Sequence, residues 1–352
     1  MIMVKKMKRF AIGVLAALLS LLLLCAGTVF IVDPFQIYRK ATFYTPLIEY
    51  TTQVYTNAGI AKNYSYDSAI VGTSMTENAL PSQYDELFGG EWIKLVTSGG
   101  TAHNHAILME TAFRTHELKR IVYDLDIYSF MAEKNSTAQD IPMYLYDANP
   151  FNDVRYLLNQ DVFIRLYDTW TYNASGLARE DRDEMYNWAM NYEYSEDAVM
   201  KGVNLKAPAA EMWDANIFEA EMNDNLDTNL IPFIEQHPET EFIIYYPPYS
   251  VMEWFTMYQK GHLDFVLNMK ERITERLLPY ANVKIFDFQA REDWVCNLNN
   301  YKDTSHHTPE INVAIAECIA AGEGLVKDIY DIYEHDETIY GWVDDIVYAN
   351  EE

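Results

Sequence analysis

Cysteine is scarce in this chain. Its 352 residues hold three, and Cys25 lies within a long apolar run, so Cys296 and Cys318 could form at most one disulfide outside it. Two buried, reduced thiols are the other reading, and neither amounts to a disulfide scaffold. Basic residues are also few: 26 Lys and Arg against 53 Asp and Glu leave a formal net charge of −27. Setting aside Lys5, Lys6, Lys8 and Arg9, which precede the apolar run, the rest of the chain carries about −31. Such a surface repels polyanions, which argues against nucleic acid as a partner and makes a neutral or cationic substrate more comfortable than a polyphosphate. Neither an HExxH pattern nor a paired-cysteine spacing occurs, so no strong zinc signal is present. Internal repeats and low-complexity tracts are absent as well.

The chain does have one long hydrophobic run. Phe10 to Val32 is an uncharged stretch of twenty-three residues, long enough to span a bilayer. The four cations before it, with no acidic residue until Asp33, keep residues 1–9 in the cytoplasm by the positive-inside rule and export the remainder. A single-pass type II protein with an extracytoplasmic domain is expected. A cleaved signal peptide is the competing reading, but Cys25-Ala26-Gly27 is a weak cleavage site, and Leu24 occupies the place where a lipoprotein signal needs a small residue. The organisation expected is a cytoplasmic segment 1–9, a transmembrane anchor 10–32, a tyrosine-rich juxtamembrane segment 33–62, a folded domain 63–335 and an acidic tail 336–352.

Within that domain, apolar runs of strand length alternate with helical patterns, which predicts an α/β fold with a mostly parallel five-stranded sheet between helices. The strands are expected at Ser68–Gly72, Trp92–Val96, Arg120–Ile127, Glu241–Tyr246 and Val283–Phe288. Helices are expected over about 102–118 and 253–278, and from Thr308, where an N-cap residue precedes Pro309. The long stretch of about 129–240 reads as a helical insertion over the sheet between strands 3 and 4. Its Tyr144, Tyr146, Trp170, Trp188 and Trp213 could form a carbohydrate-stacking surface or simply the insertion's core.

Ligands of open α/β sheets bind at the carboxyl ends of the strands, and three short pieces fall there. Val71-Gly72-Thr73-Ser74 closes strand 1, where a turn into a helix would expose the Ser74 hydroxyl and aim backbone N–H groups at an oxyanion. Ser98-Gly99-Gly100 follows strand 2, where Gly99 allows a close backbone approach and an N–H donor. Asp303-Thr304-Ser305-His306 follows strand 5, at a spacing that lets a carboxylate orient an imidazole acting as base toward Ser74.

These blocks resemble those of the SGNH (GDSL-like) hydrolase superfamily, in which Gly-x-Ser follows strand 1, a glycine block follows strand 2 and a late Asp-x-x-His completes a triad. The resemblance covers about 66–320 and implies a three-layer α/β/α, flavodoxin-like fold. Membrane-anchored members of bacterial cell-envelope systems, in alginate O-acetylation and teichoic-acid D-alanylation, are the most similar. It implies Ser74 as nucleophile, His306 as general base, Asp303 as its orienter, the Ser74 and Gly99 amides as oxyanion hole, and no cofactor. The implied partners are a cell-envelope glycan or other acylated polymer and an integral-membrane acyltransferase. One block departs: where the family has Gly-x-Asn-Asp after strand 3, this chain reads Asp124-Leu125-Asp126-Ile127-Tyr128-Ser129. Losing one oxyanion donor costs about a hundredfold or more in rate, which suits an acyltransferase, or an inactive relative, better than a vigorous esterase.

Further residues near the strand ends are candidates for substrate binding: Asn78, His103, Asn104, Asp126, Tyr249 and His307. Asn78 or Asn104 could supply the missing donor, and Asp124 and Asp126 could orient a sugar or merely cap the strand. Tyr249, Ser250 and Trp254, after the Pro247-Pro248 break, are wall residues or ordinary packing. His306, His307 and Asp303, with His103 and His105, could alternatively be metal ligands. The expected activity is O-acyl transfer or ester hydrolysis on envelope glycans. The alternative is a non-catalytic protein of the same fold that binds glycan or an assembly partner.

Overall fold

Five stretches of five or six residues, mostly apolar, form strands: β1 Ser68–Gly72, β2 Trp92–Val96, β3 Arg120–Asp124, β4 Glu241–Tyr246 and β5 Val283–Asp287. In the computed structural model, which describes residues 2–149, 151–179 and 181–351, they pair in the order β2-β1-β3-β4-β5, every pair parallel. The central residues of β1 to β4 are buried on both faces, which is why these strands read as largely apolar runs, Lys94 of β2 being a polar exception, whereas Lys284 of the edge strand β5 is exposed. This is the flavodoxin-like order, with its switch point between β1 and β3. The α/β class and parallel sheet are as expected. β3 ends three residues sooner than predicted, because the Asp126 side chain accepts the Tyr128 N–H and starts a 3-10 turn over Ile127–Phe130.

Two helices precede β1, α1 (Ile2–Val32) and α2 (Gln53–Asn63); α3 (Pro81–Phe88) and α4 (Ala102–Thr115) flank β2. Between β3 and β4 come α5 (Val154–Leu157), α6 (Gln160–Ala174), α7 (Glu196–Met200), α8 (Glu219–Asn225) and α9 (Ile231–Gln236). Then follow α10 (Val251–Gln259), α11 (Leu263–Leu277), α12 (Glu292–Val295), α13 (Pro309–Ala321) and α14 (Ile329–Glu351). Two expectations change here. The single helix over 253–278 is two, broken where Gly261 adopts φ +73° and a Cβ would meet the Glu211 carbonyl oxygen at 2.2 Å. The insertion is less helical than expected: among its described residues the long helical stretches are α6 and the continuous run in which α8 passes through a π-helical segment, Leu226–Leu230, into α9.

The chain divides into two units. One combines Met1–Ile48, Val54–Tyr64 and Ile141–Glu180; the other combines Glu49–Gln53, Ser65–Asp140 and Asp181–Glu352 and holds the whole sheet. In the first, α1 is long and apolar enough to cross a membrane, with a mean hydropathy of 2.7, and α5 and α6 pack against it. Met1 and Glu352, the outer limits of the expected cytoplasmic segment and tail, lie outside the described residues.

In the second unit, Ile70, Val122, Ile243, Tyr245 and Phe286 face one side of the sheet and pack with Tyr84 of α3 and Ile311, Ile315 and Ile319 of α13. The opposite side meets α4 and α11, where the Tyr246 hydroxyl lies 2.8 Å from Thr274 Oγ1. The layers are therefore α/β/α. Residues of the expected tail belong to α14, which buries Ile339 and Val343. Lys270 of α11, fully buried, pairs with Asp336 of α14 and lies 3.2 Å from Asp287 Oδ2. The cysteines are all free; Cys318 is buried, whereas Cys296 is exposed, against the expectation of two buried thiols.

Candidate active site

β1 delivers Ser74 by way of a glycine that nothing larger could replace. A Cβ on Gly72 would come within 2.5 Å of Asp124 Cβ and 2.6 Å of Thr76 Oγ1. The next residue is tied across the switch point: the Thr73 N–H and hydroxyl both donate to Asp124 Oδ2, at 3.2 and 3.1 Å. Ser74 then opens a run of tight turns, with Thr76 N–H on the Thr73 carbonyl and Ala79 N–H on Thr76. The helix expected directly after Ser74 begins only at Pro81, so α3 is not the source of amides aimed at Ser74.

The Asp-x-x-His block forms a self-capped turn. Asp303 Oδ1 accepts the N–H groups of Ser305 and His306, at 3.0 and 2.8 Å, while Oδ2 receives His306 Nδ1 at 2.9 Å. A carboxylate on Nδ1 places the ring proton there and leaves Nε2 as the acceptor. Ser74 Oγ stands 2.8 Å from Nε2. The turn is anchored from behind by Ser250, whose N–H and hydroxyl donate to the Thr304 carbonyl at 3.1 and 2.6 Å. Thr304 Oγ1 in turn donates to Glu253. Burial pushes the Asp303 carboxyl up, but the His306 imidazole and the two N–H donors outweigh it and hold the pKa down to about 2.

Several neighbours were not evident in the sequence. Trp188 packs edge-on against His306, ring centroids 5.6 Å apart at 88°, and its backbone N–H donates to Asn78 Oδ1 at 3.1 Å. Lys302 lies over the Trp188 and Tyr192 rings at 4.0 and 3.9 Å, with Nζ 3.8 Å from Asp303 Oδ2; burial lowers its pKa. Only the adjacency of Lys302 to Asp303 could have flagged it. Glu77, also buried, accepts from Ser98 Oγ and from Gln53 Nε2, and Gln53 Oε1 takes the Ser98 N–H at 2.9 Å. This network braces the block that carries Gly99, which is exposed with φ +59°. Burial pushes the Glu77 carboxyl up.

The structure brings Ser74, His306 and Asp303 together, and it engages most of the other candidates within the fold. Asn78 is buried behind Trp188. Asn104 is buried in a capping box with Thr101 and also accepts the Ala138 N–H. Tyr249 is buried and donates to Asp126 Oδ1 at 2.9 Å, and Asp126 Oδ2 lies 3.4 Å from Thr73 Oγ1. Ser250 and Trp254 are core. His307 is buried with Nδ1 against the Thr308 carbonyl, and burial lowers its pKa to about 4. His103, half-buried, meets Asn229 Oδ1 at 3.1 Å, and His105 meets the Tyr123 hydroxyl at 2.8 Å. Among the described residues, no group of three or more His, Cys, Asp or Glu side chains is arranged to hold a metal ion. Of the insertion's aromatics, Tyr146 and Trp188 are buried, while Trp170 and Trp213 are exposed.

An activated serine is what this arrangement can provide. The hydroxyl proton has an acceptor in line, and the acceptor has a carboxylate behind it to stabilise the imidazolium that would form. No protein-family model matches the chain, and no curated protein matches it. Among solved structures, a Streptococcus pneumonia chain provisionally described as a platelet activating factor is similar over 78% of this chain and 92% of its own, at 11% identity and a TM-score of 0.40.

Proposed function

We propose that this protein is a membrane-anchored, extracytoplasmic serine enzyme of SGNH type that moves or removes O-acyl groups on cell-envelope glycans. The observation that carries the reading is the Ser74–His306–Asp303 chain of contacts at 2.8 and 2.9 Å. Ser74 Oγ attacks the acyl carbonyl while His306 Nε2 takes its proton. Asp303 holds the ring and its positive charge, and the amides of Ser74 and Gly99 bind the oxyanion. His306 returns the proton to the departing oxygen, and a glycan hydroxyl or water then takes the acyl group by the reverse sequence. Membrane attachment draws on α1 and on the cations that precede it. The acidity of the remaining chain favours a neutral or cationic glycan. An integral-membrane acyltransferase is the proposed acyl source.

A non-catalytic, glycan-binding reading draws on one observation: the loop after β3 presents Asp126, already bonded to Tyr249 and Tyr128, where the family has an asparagine donor. Labelling the full chain with a fluorophosphonate separates the two. Labelling that disappears in both Ser74→Ala and His306→Ala supports the enzyme, whereas a folded chain that never labels supports the binding protein.

A further inference from the structure

We propose that the outer face of α6 lies in the headgroup region of the lipid bilayer that α1 crosses; this rests on reading α1 as a membrane span. The helix turns an apolar stripe away from the protein. Its inward stripe mixes Val162 with Arg165 and Thr169, at 0%, 3% and 2% exposed, while Ile164, Tyr167 and Trp170 point outward at 51%, 63% and 66%. Phe151 and Leu177, before and after the helix, are 89% and 78% exposed. Isolated apolar side chains on a surface need no explanation, but a helical stripe of them is normally covered.

The covering is argued from the same unit. α5 and α6 pack against α1, and the outer end of α1 is built into their packing. Val29 is buried, the Tyr156 hydroxyl of α5 donates to Asp33 at 2.8 Å, and Arg165 lies over the Phe35 ring at 5.4 Å. A span fixed in this way holds α6 close to the bilayer. Charge agrees: outside α1, this unit's sequence contains six acidic and six basic residues, so the chain's large negative charge resides in the other unit. A neutral face of Trp, Tyr and Ile meets no repulsion from anionic lipid, and amphipathic aromatic side chains are those that settle at the membrane–water boundary.

Trp170 makes the test direct, because the other six tryptophans of the chain belong to the other unit. The full chain and its Trp170→Phe variant are reconstituted in nanodiscs, with and without phosphatidylcholine brominated near the headgroup end of its acyl chains. Expected is a quenched emission component in the wild type that is lost in Trp170→Phe. Equal quenching in the two proteins, with both resisting alkaline carbonate extraction from vesicles, overturns the proposal while leaving the anchor standing; water or a protein partner then covers the face. Release by carbonate overturns the anchor and the proposal together. Tyr167→Ser serves as a second variant and is expected to reduce the Trp170 component without removing it.

Discussion

Thr73 and Asp124 are joined twice, the backbone N–H and the hydroxyl of the one meeting the same carboxylate oxygen of the other. The bond ties the residue before the candidate nucleophile to the end of a neighbouring strand. Asp124→Ala strips the buried Thr73 N–H of its acceptor and leaves the hydroxyl only its longer contact with Asp126, at a cost of about 1–3 kcal/mol, and should slow fluorophosphonate labelling of Ser74. Asp124→Asn keeps an acceptor oxygen and should retain most of the labelling. Chemical denaturation and labelling time courses on the two variants check this.

The same carboxyl makes stability depend on pH. Burial, and then the charge of Asp126, push the Asp124 pKa up, with Thr73 opposing in part. The folded state therefore holds a proton that the unfolded chain releases near pH 4. Stability from this site is fully present below that pH and declines as pH rises through the neutral range. The difference in denaturation midpoint between wild type and Asp124→Asn, followed from about pH 4 to pH 8, should shift steadily in the variant's favour. A flat difference would remove Asp124 as the cause.

Asp303 works in the opposite direction. Its pKa is held at about 2, below that of an unfolded aspartate, so its contribution is present above about pH 4 and fades as pH falls toward about 2. Asp303→Asn should flatten that acid limb. It should also slow labelling of Ser74 by about a hundredfold or more, since the amide no longer stabilises the imidazolium.

Trp188 touches both His306 and Lys302. Replacing it with Phe keeps an aromatic edge for the imidazole and a face for the ammonium, so labelling should fall only modestly. Trp188→Ala removes both and should reduce the labelling rate by about tenfold or more. Comparable rates in the two variants would mean that the aromatic contact does not hold His306 in place.

Lys270 carries a different risk. Its ammonium sits between Asp287 and Asp336 without solvent access, and Lys270→Met leaves two carboxylates facing each other in the interior. Breaking a buried pair in this way costs about 3–5 kcal/mol, so a large drop in urea midpoint is expected. Adding Asp336→Leu should recover part of it, because one of the stranded charges is then gone.

Much of this architecture could be read residue by residue. The five parallel strands announced themselves because most of their positions are buried, which favours short, largely apolar runs, and Pro309 marked the start of α13. The broken helix at Gly261 was hidden, since its cause is a carbonyl supplied by Glu211, fifty residues earlier. The partly irregular insertion was hidden for a related reason: its Trp and Tyr residues satisfy helix, loop and core equally well until their partners are known.

His306 and His307 show where local sequence stops being informative. They are adjacent, chemically identical and in the same loop, and the Asp-x-x-His spacing alone distinguished them. The antiparallel bridge between Tyr301 and His307 belongs to a fold in which His307 is buried while His306 meets a serine that lies 232 residues away. Apolar runs, turn residues and caps depend on neighbours in the chain and so set the strands and most of the regular helices. Which imidazole becomes a base, which lysine is clamped between rings and which carboxyl keeps its proton depend on burial and on charges brought from distant segments, and those arise only when the sheet has assembled.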